Sequence, residues 1–226
     1  MLPREVKAVV FDMDGLLVDS ERIFRDAFLQ VSHDMGVDLP LEVFLRMVGA
    51  PGEQNRRLAR DLFGPEFDVN AWFAAVSARA HAQIRVDLAL KAGVVELLDR
   101  LDELGIPRAI ATSSGHDNVT MQLTPHVLLP RFGAVIAQGD YARGKPFPDP
   151  FLAAAERLGV APEDCLALED SHNGVRAAHA AGMMTIMVPD LLEATDEMQA
   201  MCVTIAETLH DVRDLLTPEP MGGVGA

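Results

Sequence analysis

The chain has 226 residues, 49% of them hydrophobic, which allows one large domain or a domain with a smaller insertion. Its 34 acidic and 19 basic residues give a net charge of −15, which argues against nucleic acid and anionic membranes as partners. No apolar run is long enough to cross a membrane, the N-terminus has no signal-peptide core, and two cysteines are too few for a disulfide framework. We therefore expect a cytoplasmic protein with reduced cysteines.

The first predicted strand, residues 6–11, leads into a segment that reads FDMDGLLVDSE. This segment places two carboxylates, Asp12 and Asp14, one residue apart directly after a buried apolar run. Gly15 allows a tight turn that would direct Asp14 back toward the strand end. The acidic pair is a candidate catalytic or metal-binding group if other strands end beside it.

Residues 20–87 show helical periodicity and no strand-like run. Apolar residues recur at helical spacing, separated by glycine and proline, over residues 23–31, 41–48 and 72–84. We predict that 20–87 form an α-helical cap domain, inserted into a core domain made of 1–19 and 88–226.

The rest of the chain alternates strands with helices. Short apolar runs that predict strands cover residues 109–111, 134–137, 165–168 and 185–188. Amphipathic helices, each followed by a glycine that favours a helix end, are predicted near 95–104, 151–158 and 175–181. This alternation predicts an α/β fold whose core is a doubly wound, Rossmann-like parallel sheet covered by helices on both faces.

The carboxyl ends of parallel strands share one edge of the sheet, and ligands bind there. This geometry predicts that six polar residues lie together: Asp12, Asp14, Thr112, Ser113, Glu169 and Asp170. Four of these residues are carboxylates, which would repel one another and raise each other's pKa. A Mg²⁺ ion would resolve that repulsion, because Mg²⁺ prefers carboxylate oxygens, water and phosphate. The histidines show no paired spacing that would indicate a zinc site.

Lys145 follows in the segment GKPFPDPF, where prolines restrict the backbone and can fix the position of the ammonium group. A fixed cation beside carboxylates and Mg²⁺ could hold a phosphoryl group next to an anionic nucleophile. Thr112 and the N–H groups that open a helix near Gly115 would donate to other phosphoryl oxygens. These residues suggest phosphoryl transfer to Asp12, with Asp14 acting as general acid and base.

With these motifs, the sequence resembles the haloacid dehalogenase superfamily, in the branch with a helical cap after the first motif. The four signatures of that family occur in order as FDMDGLLVDSE at 11–21, ATSS at 111–114, GKPFPDPF at 144–151 and LEDSHNGVRAAHAAGM at 168–183. By position, the resemblance implies Asp12 as nucleophile, Asp14 as acid/base, and Thr112 and Lys145 as phosphate ligands, with Ser113 and Asn173 assisting. It implies that the Mg²⁺ ligands are Asp12, the Asp14 carbonyl, Glu169 and Asp170.

Within the family, the second aspartate, Asp14, is evidence against dehalogenation, because the namesake dehalogenases lack it. The β-phosphoglucomutases are similar, but they carry a histidine and an arginine where this chain has Phe24 and Gly52. Arg79 aligns loosely with a mutase cap lysine. We therefore favour a Mg²⁺-dependent phosphatase of small monoesters such as sugar phosphates, with a mutase as the alternative. A catalytically silent binding module is disfavoured, because such a module needs no intact set of catalytic residues.

The cap is expected to contact the part of the substrate that carries no phosphate. The segment 46–51 is the predicted contact region, with Arg46 and Gly49 as candidate substrate-binding residues. The resemblance also implies a monomer that acts on a small phosphate ester.

Overall fold

The computed structural model describes residues 2–50 and 52–216. Its strands are β1 Ala8–Phe11, β2 Arg108–Gly115, β3 Ala134–Gln138, β4 Cys165–Glu169, β5 Met184–Met187 and β6 Thr204–Ile205. Across these described residues they form one six-stranded parallel sheet in the order β3-β2-β1-β4-β5-β6. The order reverses beside β1, and such a switch point is where open α/β sheets bind their ligands. The predicted α/β class and parallel sheet are confirmed.

The helices follow the predicted alternation. They are α1 Ser20–Asp34, α2 Leu41–Met47, α3 Gly52–Phe63, α4 Val69–Asp87, α5 Val94–Leu104, α6 His116–Leu123, α7 Asp149–Leu158, α8 His172–Ala180, α9 Asp196–Met201 and α10 Leu209–Leu215. Gly105 and Gly159 adopt left-handed backbone conformations directly after α5 and α7, where their sequence positions indicated helix ends. None of the helices in the described part of the chain combines the length and apolar character that crossing a membrane requires.

Both faces of the sheet are covered because side chains alternate along each strand. Val9 and Phe11 of β1 belong to a core cluster that includes residues of α5, α6 and α10. Ala8 and Val10 belong to the opposite cluster, which includes residues of α7 and α8. The carboxyl edge of the sheet is therefore the place where polar side chains can gather.

Helices α1 to α4 have an apolar core of their own. The fully buried Trp72 packs against the rings of Phe28 and Phe73, with centroid separations of 5.1 and 4.9 Å. Its indole Nε1 donates a hydrogen bond to Ser32 Oγ at 3.0 Å, so the buried polar atom is satisfied. A helical insertion after β1 therefore agrees with the sequence pattern, while the boundaries 1–19, 20–87 and 88–226 stay a prediction.

Several short elements were not predicted. Helix α3 lies between two glycine- and proline-containing segments and buries only Ala59 among its described side chains. Its apolar residues Leu58, Leu62 and Phe63 recur at helical spacing, but this stripe was not assigned from the sequence. Strand β6 has two residues, and α9 and α10 are short helices near the edge of the sheet. Pro51, within the predicted substrate loop, lies outside the described residues.

Candidate active site

The carboxyl ends of β1, β2 and β4 bring the predicted residues to one cleft of about 240 Å³. Its lining includes Asp12, Asp14, Gly49, Thr112, Ser113, Lys145, Asp170 and Asn173, all of which were singled out from the sequence. Lys145 arrives from the loop between β3 and α7. A wider groove of about 780 Å³ adjoins the cleft and shares Gly49, Ser113 and Lys145 with it.

Lys145 is the buried cation of the cleft, with a side chain only 6% exposed. Its Nζ donates to Asp12 Oδ1 and Glu169 Oε1. Burial lowers the pKa of Lys145, but attraction to these two carboxylates outweighs burial, so the pKa is raised and the side chain stays protonated. The ammonium group is thus fixed beside the candidate nucleophile.

Glu169 bonds Lys145 through Oε1 and is fixed in position by further hydrogen bonds to its other oxygen. Its second oxygen, Oε2, accepts hydrogen bonds from the backbone N–H groups of Asp170 and Ser171 at 3.2 and 3.3 Å and from Ser171 Oγ at 3.1 Å. Ser171 also caps α8 by accepting from Gly174 N at 3.1 Å. Both oxygens of Glu169 are therefore occupied, although sequence placed this residue among the metal ligands.

The acidic cluster fits a hard divalent cation. Asp12, Glu169 and Asp170 are buried, and each offers a carboxylate oxygen within 4.8 Å of the others. Asp12 Oδ2 and both Asp170 oxygens accept no hydrogen bond from the described residues, so they are available as ligands. Burial and then the neighbouring Asp12 and Glu169 charges raise the pKa of Asp170 well above its usual range. Burial and the Glu169 charge likewise raise the pKa of Asp12 to about 8, against the opposing effect of Lys145. A divalent cation would displace these protons.

Asp14 is oriented by three side chains that the sequence did not single out. Its Oδ1 accepts from Ser20 Oγ at 2.7 Å and from Gln122 Nε2 at 3.2 Å, and its Oδ2 accepts from Ser114 Oγ at 2.8 Å. Ser20 and Ser114 lie inside two of the sequence motifs, so their positions in the chain could have indicated that they belong to the site. Gln122 lies on α6, and only the fold reveals its role.

Gly15 makes the turn after Asp14 possible. Its φ is +80°, a left-handed conformation that favours glycine. A Cβ atom at this position would also overlap Asp170 Oδ2, so the backbone of the first motif packs directly against the candidate metal ligand. The predicted role of Gly15 in the turn agrees with this conformation.

Thr112 is buried in the carboxyl-terminal half of β2 and keeps a hydroxyl proton for a ligand. Its Oγ1 accepts from Ser114 N at 3.0 Å, which uses the oxygen and not the proton. Its backbone carbonyl accepts from Tyr141 OH at 3.1 Å, which fixes the strand end. Thr112 can therefore donate a neutral hydrogen bond into the cleft, next to Ser113.

Two further residues of the cleft, Glu21 and Phe24, come from the N-terminal part of α1. Burial and then the charges of Asp14, Asp190 and Asp12 raise the pKa of Glu21 to about 8. Phe24 contributes an apolar wall. From the sequence, Phe24 was singled out only as a departure from the mutases. Glu21 was not singled out, since its position in the cleft depends on how α1 leaves the sheet.

Of the other residues named from the sequence, Gly49 lines the catalytic cleft, whereas Arg46 and Arg79 do not. Arg46 lines a separate cleft of about 460 Å³ that shares Asn173 with the first cleft, so its substrate role stays a prediction. Gly49 approaches the catalytic cleft, and its carbonyl accepts a hydrogen bond from Asn173 Nδ2 at 2.7 Å. Gly52 lines the adjoining groove. Arg79 lies in a groove between α1 and α4, away from the catalytic cleft.

Comparison with known proteins agrees with this geometry. The family model for "Haloacid dehalogenase-like hydrolase" matches residues 9–188. The chain belongs to this family. As a haloacid dehalogenase-like hydrolase it has relatives that are named as phosphatases, and the predicted enzyme class is confirmed.

Three similar proteins illustrate the relationship. "Probable pseudouridine-5'-phosphatase" of Drosophila melanogaster is 38% identical over 83% of this chain and 83% of the relative. Hexitol phosphatase B of Escherichia coli K12 is 33% identical over 83% of this chain and 85% of the relative. The crystal structure of CbbY from Rhodobacter sphaeroides in complex with phosphate has 28% identity and a TM-score of 0.75, covering 92% of this chain and 96% of that one.

Proposed function

We propose that this haloacid dehalogenase-like hydrolase is a Mg²⁺-dependent phosphatase of small phosphate monoesters such as sugar phosphates. The reaction would pass through an aspartyl phosphate on Asp12. The observation that carries the proposal is the buried Lys145 ammonium, which bonds Asp12 in a cleft that also contains unpartnered carboxylate oxygens of Asp170. The names of the phosphatase relatives support the substrate class.

The phosphoryl group would bind between Lys145 and Thr112, with Ser113 at the open side of the cleft. Asp12, Asp170 and the carbonyl of Asp14 would hold Mg²⁺, and Glu169 would complete the acidic surroundings. When bound, Mg²⁺ supplies positive charge that offsets the repulsion between the phosphoryl oxygens and the carboxylate nucleophile. The protein contributes the fixed position of both charges, which is an effective form of electrostatic catalysis.

The chemistry divides into two displacements at phosphorus. A carboxylate oxygen of Asp12 attacks phosphorus while the bond to the ester oxygen breaks, and Asp14 gives its proton to that leaving oxygen. Asp14 then takes a proton from a water molecule that attacks phosphorus and breaks the bond to Asp12. This second step releases inorganic phosphate and returns both aspartates to their initial states. The hydrogen bonds from Ser20, Ser114 and Gln122 orient Asp14 for both transfers.

The rest of the substrate would extend from the cleft into the adjoining groove of about 780 Å³, which is large enough for a small sugar or polyol. Glu21 is placed to bond a hydroxyl group, since its carboxyl faces the cleft without a hydrogen-bond partner among the described residues. Gly49 would lie against the substrate. Arg46 would reach only a substrate long enough to pass Asn173.

The phosphoglucomutase alternative is less favoured by the lining of the cleft. By the family resemblance, Phe24 stands where the mutases carry a histidine. Its ring lines the cleft and cannot accept or donate a proton in transfer between two sugar hydroxyls. The alternative of a silent binding module is disfavoured because Asp12, Asp14 and Lys145 are all oriented by side-chain hydrogen bonds.

A screen of phosphate monoesters with purified protein, with and without Mg²⁺, tests the proposal. We expect inorganic phosphate release that requires Mg²⁺ and is lost in Asp12→Asn. Absence of Mg²⁺-dependent release from every ester, including hexitol phosphates and pseudouridine 5'-phosphate, would refute it. Conversion of β-glucose 1-phosphate to glucose 6-phosphate without net phosphate release would favour the mutase. The expected monomeric state and cytoplasmic location stay predictions.

A further inference from the structure

Asp190 lies just beyond β5, at the same sheet edge as the candidate metal ligands, and neither the motifs nor the proposed mechanism uses it. Its Oδ1 accepts a hydrogen bond from Lys91 Nζ at 2.6 Å, and the two side chains are 12% and 27% exposed. Lys91 is itself anchored, because its backbone N–H donates to Leu17 O at 3.0 Å where the chain returns from the helical segment. The pair therefore fixes the Asp190 carboxylate relative to the first motif.

The other oxygen, Asp190 Oδ2, is buried and has no hydrogen-bond donor among the described residues. Leaving a buried carboxylate oxygen without a donor costs stability, so such an atom calls for an explanation. Lys91 does not supply one, since the bond it makes is to Oδ1.

The position of this oxygen points to the cation site. A Cβ atom placed on Gly15 would lie 3.2 Å from Asp190 Oδ2 and would overlap Asp170 Oδ2, so both oxygens lie on the same side of Gly15. Asp170 is a candidate metal ligand whose carboxylate oxygens accept no hydrogen bond from the described residues. The orphaned oxygen of Asp190 thus faces the region next to that ligand.

We propose that Asp190, held by Lys91, is a positioning residue that accepts a hydrogen bond from the hydration shell of Mg²⁺. The inference rests on the proposed Mg²⁺-dependent function. Mg²⁺ in proteins keeps several of its waters, and their protons need acceptors beyond the direct ligands. Partners of this outer kind typically contribute 10–100-fold to metal affinity. Asp190 Oδ2 is an acceptor of this kind that no group among the described residues uses.

Calorimetric titration of metal-free protein with MgCl₂ alone, in about 0.3 M monovalent salt to screen distant charges, tests the inference. We expect Asp190→Asn to weaken Mg²⁺ binding about tenfold, since its amide oxygen would turn to Lys91 and its NH₂ group would face the cation. Lys91→Gln should weaken binding to a smaller extent, because Asp190 stays but is no longer fixed. The melting temperature of each metal-free variant shows whether it has folded.

The matched control is Asp164→Asn. Asp164 pairs with Lys7 at 2.8 Å, precedes β4 and therefore lies at the opposite edge of the sheet. Wild-type Mg²⁺ affinity in both Asp190→Asn and Lys91→Gln would overturn the inference and leave a purely structural ion pair. An equal loss in Asp164→Asn would also overturn it. If the wild-type protein binds no Mg²⁺, the proposed function fails together with the inference, whereas the first two outcomes leave the proposed function intact.

Discussion

Gly174 on α8 provides a sharp test of the packing around the active site. A Cβ atom at this position would overlap the carboxyl carbon and both carboxylate oxygens of Glu169. Glu169 has no room to yield, because it is fully buried, bonds Lys145 through Oε1 and accepts from Ser171 through Oε2. Replacing Gly174 by alanine must therefore displace either the helix or the carboxylate.

We expect Gly174→Ala to lower the free energy of unfolding, although helix propensity alone would raise it. At an open helical position, alanine is more favourable than glycine by about 1 kcal/mol. Here overpacking costs about 1–3 kcal/mol, and disturbing a buried charge pair costs up to about 5 kcal/mol when one partner is lost. We expect Gly174→Ala to destabilise the protein by about 2 kcal/mol or more, which lowers the melting temperature by at least about 4 °C for a chain of this size.

Differential scanning calorimetry of the metal-free protein measures this effect. Gly52→Ala is the matched control, since Gly52 is also helical and a Cβ there would meet no atom within 4 Å. The control should leave the melting temperature unchanged or slightly raised. Stability of Gly174→Ala equal to or above the wild type would refute the described contact between α8 and Glu169.

Three further predictions concern the cleft. Lys145→Met should lower kcat about 10²–10³-fold in a phosphate-release assay, because the phosphoryl group and Asp12 lose their shared cation; a loss under threefold would contradict this. Gln122→Leu should lower kcat about tenfold with little change in KM, since Asp14 acts on the leaving oxygen rather than in binding; a rise in KM alone would argue for a binding role. Burial and then nearby carboxylates raise the pKa of Glu21 from its ordinary 4.5 to about 8, so the folded metal-free protein keeps a proton that the unfolded chain loses in this range. Stability should fall as pH rises through that window, and the melting-temperature advantage of Glu21→Gln should grow between pH 5 and pH 8.5; a constant difference would contradict the burial of this group.

The fold was largely predictable because its signals are local. Buried parallel strands are short apolar runs, and left-handed glycines such as Gly105 end the amphipathic helices, so pattern alone indicated the sheet. Helix α3 was missed although Leu58, Leu62 and Phe63 recur at helical spacing, because its other residues are mostly polar and it buries only Ala59 among its described side chains. Topology then placed Asp12 beside Lys145, although 133 positions separate them in the chain.

The parts of the site that escaped prediction depend on tertiary packing. Gln122 is a polar residue on α6 that meets Asp14 across 108 positions, and no short pattern marks it. Asp190 pairs with Lys91 across 99 positions, and only the fold shows that its Oδ2 is buried without a hydrogen-bond donor among the described residues. Arg46 was predicted from the sequence to contact the substrate, but in the fold it lines another cleft.

Chemical trapping can show whether Asp12 carries the phosphoryl group. Enzyme, Mg²⁺ and a hydrolysed ester are mixed, quenched with acid during turnover and reduced with borohydride, and the peptide that contains residue 12 is analysed by mass spectrometry. An aspartyl phosphate is reduced to homoserine, so we expect homoserine at position 12 in the wild type with Mg²⁺ and none in Asp12→Asn. Turnover of the ester by Asp12→Asn at the wild-type rate, with no modification at Asp12 in the wild type, would contradict it.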